Sequence, residues 1–495
     1  MDLGSLSRRE FVVFGGAASL ALIAGCSSDV PGGARSGDGV SSVTIDPSRR
    51  ADVVATYRAE PLELDLAGRV VQTAGYSAKV PGDVLRATAG DLVEVTLVNA
   101  LAEATSVHWH GLAILNSMDG VPGLTQGDIE PDTSFTYRFV VPDAGTYWFH
   151  PHHGLQLDRG LMAPLIVEDP AEPLAADVEY TLVLDDWLDG TGTTPDEELA
   201  ALRDMGGMSM DSMGAMSMAT SALLGGDAGD VEYPYHLVNG RPIEDPATLL
   251  PAPRAGQRVR LRIINAGADT AYRFAVGGHR MTVTHSDGFP VEPVVVDAIL
   301  IGMGERYDIT IDIQSGTWPV VALAEGKDST AGAIIRTGDV ITSATPDLGR
   351  PLPEHDGVWL RYSDLRATEA AGLELPASSD IREVPLRLTG GMMRYDWGID
   401  GRPYGEHEPI EVAHGEWVRL AIRNDSMMWH PVHLHGHTPQ LSSQRFGARK
   451  DTVNVLPGQS VDLTFQADNP GGWMLHCHNA YHLESGMATV VTYTA

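Results

Sequence analysis

The residues best suited to redox chemistry lie near the end of the chain. His476-Cys477-His478 is followed by His482, five residues after the cysteine, and by Met487, ten after it, with His430 upstream. On a strand, residues i and i+2 share a face, so the Cys477 thiol points away from its two flanking imidazoles. One cysteine, two histidines and a distant methionine is the ligand set of a blue-copper electron-transfer centre. Zinc also takes Cys and His, but a thioether ligand and so many clustered histidines disfavour it. His476 and His478 are also one of four His-x-His pairs, the others being His108/His110, His150/His152 and His433/His435. Each pair on a strand aims two imidazoles to one side.

A threefold internal repeat positions these pairs. One strand pattern recurs from Gly90 to Asn99, Gly256 to Asn265 and Gly415 to Asn424, with apolar residues at every second place (Val93, Val95, Leu97; Val259, Leu261, Ile263; Val418, Leu420, Ile422). Period-two alternation reads as a half-buried β-strand. A second landmark, Gly followed by an aromatic-rich strand, recurs at Gly145, Gly316 and Gly471. Counting from these marks, His108, His110, His150 and His152 match His433, His435, His476 and His478, whereas the middle copy has Phe274, Val276, Val321 and Leu323. Pro151 stands where Cys477 falls, so only the third copy has the thiolate centre. The repeats predict three β-sandwich domains over residues 45–170, 171–345 and 346–495. With the first and third face to face, eight imidazoles converge at their interface.

Composition agrees with a turn-rich β protein: 54 Gly and 31 Pro in 495 residues, 20% charged. The net charge of −32 argues against nucleic acid or anionic lipid head groups as partners and suits attraction of cations. The two cysteines, Cys26 and Cys477, give no disulfide framework. Ser7-Arg8-Arg9-Glu10-Phe11 is a twin-arginine pattern, and the apolar run from Phe11 to Gly25 is too short to span a bilayer. Residues 1–26 therefore read as an export signal with Cys26 as a lipidated residue, and 27–44 as a flexible tether.

Met205 to Met218 holds six of the 17 methionines (Met205, Met208, Met210, Met213, Met216, Met218) among Gly, Ser and Asp. Such a segment is no packed helix, and thioethers are soft ligands that prefer Cu(I).

The strings His108-Trp109-His110-Gly111, His150-Pro151-His152, His430-Pro431-Val432-His433-Leu434-His435 and His476-Cys477-His478 through Met487 resemble the motifs of the multicopper oxidases, in particular the bacterial three-domain copper-resistance and laccase-like type that includes cuprous oxidases. The resemblance covers the chain from about residue 45 onward. It implies an all-β chain of three consecutive cupredoxin-like Greek-key sandwiches and four copper ions. It also implies a ligand assignment. Type 1 copper takes His430, Cys477, His482 and Met487; type 2 takes His108 and His433; the type 3 pair takes His110, His150 and His478 on one ion and His152, His435 and His476 on the other. Dioxygen and a one-electron donor, Cu(I) or a phenol, are the implied partners, in a monomer held to the membrane only through Cys26. Reduction of dioxygen consumes protons, and Asp119 and Glu484 are the candidate acids. Met428, Met427 and Asp425, beside His430, are candidate Cu(I) ligands, with Met392 and Met393 nearby. The competing readings are an organic laccase and a copper-sequestering surface protein.

Overall fold

The repeated strand occupies the same place in three β-sandwiches of the computed structural model, which describes residues 45–172, 176–205, 219–338, 340, 344–442 and 446–494. Each copy lies between one parallel and one antiparallel neighbour: Leu92–Asn99 between Val53–Leu66 and Ser134–Val140, Arg258–Asn265 between Val178–Trp187 and Arg306–Asp312, and Trp417–Asn424 between Ile381–Thr389 and Ser460–Gln466. The facing sheet also keeps one plan. Gly145–His150, Thr317–Ala324 and Gly472–Cys477 each pair antiparallel with the preceding motif strand (His108–His110, Tyr272–Val276, His430–Leu434) and with the last strand of the domain (Ala163–Glu168, Thr330–Arg336, Ala488–Tyr493). Parallel pairs inside an antiparallel sandwich require the chain to cross between sheets, the Greek-key arrangement of cupredoxin-like domains.

Two features of the middle domain depart from the repeat. In the end domains His108 sits opposite His150 and His433 opposite His476. The middle domain pairs Phe274 with Ala322 and Ala275 with Val321, one residue off. A one-residue offset exchanges the two faces of a strand. Phe274 and Val276 accordingly join the main apolar core, while Val321 packs in a separate cluster with Ile334 and Leu348. The four positions are therefore equivalent in sequence spacing but do not share a face. Second, the strand Arg258–Asn265 is buried on both sides rather than one. The Arg260 and Arg262 side chains are only 4% exposed and pair with Asp308, Glu172 and Glu179. The first domain covers them: Thr146 Oγ1 donates to Asp308 Oδ1 at 2.6 Å and accepts from Arg262 Nη1 at 3.0 Å.

Most buried apolar residues of the second and third domains form one continuous cluster, and most of those of the first form another, in which Trp109 and Phe149 turn inward. Because neighbours on a strand alternate faces, inward Trp109 and Phe149 send His108, His110 and His150 outward, toward the third domain.

Candidate metal centres

The strand Gly472–Cys477 leads into a short helix, Ala480–Glu484, whose start is capped by Asn479 accepting from the N–H groups of Tyr481 and His482. This tight turn carries His482 back to the cysteine. Cys477 Sγ lies 3.5 Å from His482 Nδ1 and 3.6 Å from His430 Nδ1, and the two Nδ1 atoms are 3.1 Å apart. The far nitrogens are held from behind, His430 Nε2 by Ser426 Oγ at 2.7 Å and His482 Nε2 by Asp230 Oδ2 at 2.9 Å. Such partners fix ring orientation and leave Nδ1 free for a metal. Met487 is fully buried, and its carbonyl accepts from the Cys477 N–H at 3.0 Å. Trp397 covers both imidazoles, with ring centroids 4.2 Å from His482 and 5.2 Å from His430. Burial holds His430 well below the ordinary imidazole value. For His482 burial also opposes charge, but hydrogen bonds to Asp230 and Cys477 outweigh it and push it up to about 10. Binding a metal there must release that proton.

The other eight histidines interleave across the interface of the first and third domains. His108 stacks on His435 at 3.7 Å and His110 on His433 at 3.8 Å. Three groups bring their ligand atoms within 4.8 Å of one another: His110, His150 and His478; His152, His435 and His476; His108, His110 and His433. Type 2 candidates His108 and His433 face each other through Nε2 at 3.4 Å. One nitrogen of most rings is held by the protein: His150 Nδ1 by the Pro151 carbonyl, His476 Nδ1 by the Cys477 carbonyl, His433 Nδ1 by the Asp451 carbonyl. The opposing Nε2 atoms of His433 and His476 face other imidazoles, His108 and His435. His110 Nδ1, His150 Nε2, His152 Nε2 and both nitrogens of His478 are buried without a hydrogen bond. Burial, reinforced by the neighbouring imidazoles, holds His110, His150, His152, His435, His476 and His478 well below the ordinary value, so they are neutral. Buried, neutral, unpartnered nitrogens converging on one space are costly unless they bind something, and imidazole donors fit copper.

Two carboxylates brace this cluster. Asp119, 1% exposed, accepts from His435 Nδ1 at 2.9 Å, and its carbonyl accepts from His108 Nδ1 at 3.0 Å. The adjacent Gly120 has φ +84, and a Cβ there would lie 1.6 Å from the Val107 carbonyl oxygen, so the turn that delivers Asp119 needs glycine. Asp451 braces His110 and His433 from the opposite side, 3.3 and 3.4 Å from Oδ1. Glu484 is different. It is exposed and touches no imidazole among its recorded bonds, but it lines a narrow cleft with His150, His152, His476 and His478. That cleft has a volume of about 20 Å³, room for about one water.

Among the described residues, the candidate Cu(I) ligands are not brought together. Met428 is 1% exposed inside the main core, whereas Met427 is 84% exposed. Met427 lies in the bend at 426–427, which turns it to solvent while Met428 packs inward. The Asp425 carboxylate is engaged by Arg387 and Arg423. Met392 packs partly against the core and Met393 is half exposed. Met208, Met210, Met213, Met216 and Met218 lie outside the described residues, as do residues 1–44 with Cys26; of Met205 only the backbone, closing the helix Pro195–Met205, is described.

Sequence reasoning missed Asp230 and Asp451. Asp230 comes from the middle domain, its carboxylate fully buried between His482 and the Tyr395 hydroxyl, which donates to Oδ2 at 2.9 Å. Nearby Asp227 pairs through its backbone with Met428, and burial followed by Asp230 raises its carboxyl to about 6. The only sequence signal was position: Asp227 and Asp230 closely follow the methionine-rich stretch, whereas Asp451 had none.

Family models described as multicopper oxidase match residues 59–172, 179–339 and 379–495. The chain is 44% identical to the multicopper oxidase MmcO of Mycobacterium tuberculosis over 99% of this chain and 97% of that one. It is 28% identical to copper resistance protein A of Escherichia coli over 91% and 95%. Among solved structures, a multi-copper oxidase from Pseudomonas thermotolerans superposes with a TM-score of 0.67 at 26% identity, covering 89% of this chain and 100% of that one. A laccase from Botrytis aclada superposes with a TM-score of 0.73 at 24% identity, over 90% and 88%, and so shares the fold.

Proposed function

The chain belongs to the multicopper oxidase family, and on that premise we propose that it oxidises Cu(I) with dioxygen: four Cu(I), one O2 and four protons give four Cu(II) and two waters. It is an oxidoreductase with copper as its cofactor. In the proposed division, one copper is held by His430, Cys477, His482 and Met487, and three by His108 with His433, by His110, His150 and His478, and by His152, His435 and His476. Bound there, copper would supply one-electron acceptance at the thiolate and four-electron reduction of dioxygen among the eight imidazoles.

The observation that carries this reading is the bonding of one strand end. Cys477 is covalently continuous with His476 and His478, and its thiol faces His430 and His482 while the flanking imidazoles face the eight-histidine cluster. Asp230 holds His482 and, as an anion, favours positive charge at that centre. Asp119, between His108 and His435, is placed to hold a proton beside the cluster, and Glu484 stands at the cleft leading to it.

A metal-ion donor fits the entry side better than a phenol. His430 and His482 are 0% exposed, so no ring edge among the described residues is open for an aromatic substrate to lie against. The flanks of the methionine-rich segment are tied to the same region. Arg203, two residues before Met205, donates to the Glu484 carbonyl at 2.7 Å, and Asp227, nine residues past Met218, bridges to Met428. Thioethers supplied between those anchors would suit Cu(I). The twin-arginine pattern and Cys26 support export by the twin-arginine route and anchoring outside the cytoplasmic membrane, with 27–44 as the tether of a monomer.

Oxygen uptake by copper-loaded protein, with a stabilised Cu(I) complex and in parallel with dimethoxyphenol, tests the donor. Saturable uptake with Cu(I), exceeding that with the phenol, is expected. Uptake with the phenol alone would make the protein a laccase, and uptake with neither would make it a copper-sequestering protein.

A further inference from the structure

The middle domain supplies no imidazole to the eight-histidine cluster, yet one of its side chains reaches the cluster's outer ring. Arg306 begins the strand Arg306–Asp312 and is completely buried. Its Nη1 and Nη2 donate to Asp451 Oδ1 and Oδ2, both at 2.7 Å, a two-pronged grip on a third-domain carboxylate. Its Nε donates to the carbonyl of Thr146 at 3.1 Å, on the first-domain strand that ends at His150. One guanidinium thus touches both end domains.

Asp451 passes this contact on. Its Oδ1 lies 3.3 Å from His110 Nε2 and 3.4 Å from His433 Nδ1, and its carbonyl accepts from His433 Nδ1 at 3.0 Å. Thr452 Oγ1 lies 3.2 Å from both of these ring nitrogens and donates to Asp451 Oδ1 at 2.9 Å, and together the contacts leave His110 Nδ1 and His433 Nε2 as the nitrogens directed into the cluster. The surrounding backbone is shaped for this approach. A Cβ on Gly111, which has φ +90, would lie 2.3 Å from Arg306 Nη2 and 2.8 Å from Asp451 Oδ2. A Cβ on Gly304 would lie 2.8 Å from His478 Cδ2 and 3.0 Å from His110 Cε1. The glycines therefore allow the middle domain to press directly on the ligand shell.

We propose that Arg306 is a positioning residue for the oxygen-reducing centre, its fork setting Asp451 and through it the ring orientation and separation of His433 and His110 across the domain interface. This rests on the reading that the eight histidines hold copper. A lysine could keep the charge but not the planar, two-pronged geometry.

The test compares copper-loaded Arg306→Met, Arg306→Lys and Asp451→Asn with Asp308→Asn. Asp308 joins the middle and first domains through Thr146 but makes no recorded bond to Asp451. The blue absorbance of the Cys477 centre reports folding within each sample. Arg306→Met, Arg306→Lys and Asp451→Asn should keep the blue band while the type 2 copper signal in electron paramagnetic resonance is altered or lost. Their kcat should fall roughly 10–100-fold with KM for the Cu(I) donor unchanged. Asp308→Asn should lower Tm and leave the type 2 spectrum as it is. If Arg306→Met fails to accumulate as folded protein, the lysine and Asp451→Asn variants carry the same comparison. A wild-type type 2 spectrum in the Arg306 and Asp451 variants, with only Tm reduced, would overturn the proposal. A wild-type protein without any type 2 signal would instead sink the copper reading of the histidines.

Discussion

The end domains and the middle domain share one strand plan and use it for opposite purposes. In the first and third, the motif strands keep Trp109, Phe149 and their counterparts inward and send imidazoles outward, where they meet across an interface. In the middle domain the same strand pair is shifted by one residue, Phe274 and Val276 turn into the core, and the domain becomes a packed spacer. Its contributions come from outside the motif strands: Asp227 and Asp230 at the thiolate centre, Gly304 and Arg306 at the histidine cluster. A sandwich strand can thus lose every ligand and the domain still shape two metal sites, because the sites lie at domain seams and a seam has more than two sides.

The largest expected break in this contrast is at the motif histidines. His476→Asn or His478→Asn should reduce oxygen consumption to background in an otherwise folded protein, while Phe274→Ala should leave copper per chain unchanged and cost stability alone, about 3–5 kcal/mol by denaturant titration. Equal copper loss in both would erase the distinction between the domains. Next in size, Asp230→Asn removes a buried negative charge that favours the oxidised centre, so the reduction potential of the blue copper should rise. Cu(I) turnover should fall roughly 10–100-fold, and an unmoved potential would mean that the middle domain does not reach that centre electrostatically. A smaller effect concerns Asp227, whose carboxyl burial and Asp230 raise to about 6. Below that pH it is neutral and attracts cations less, so KM for Cu(I) should climb as pH falls through about 6, and Asp227→Asn should flatten the profile. The smallest effect is expected from removing residues 206–218: a few-fold loss in Cu(I) kcat/KM with phenol oxidation unchanged, measured on the same preparation.

Much of the histidine arrangement was legible in the chain because residues on strands obey period two and the repeat supplied its own internal control. His108 and His433, 325 residues apart, are found by counting from Asn99 and Asn424. The braces were not legible. Asp230, Asp451 and Arg306 lie in different domains from some of the groups they hold, and nothing local distinguishes them from the chain's many surface charges. The different exposure of Met427 and Met428 was not legible either, because it depends on how the bend before His430 packs against the core. The one-residue offset in the middle domain was hidden because apolar residues on both faces of its strand satisfy either register.

The most direct test is the stoichiometry of a complete turnover by copper-loaded protein, with Cu(I) consumed and dioxygen consumed measured together and peroxide assayed at the end. A single coupled pair of centres predicts four Cu(I) per dioxygen and no peroxide. Two Cu(I) per dioxygen with peroxide accumulating, or copper bound without any oxygen consumed, would contradict it.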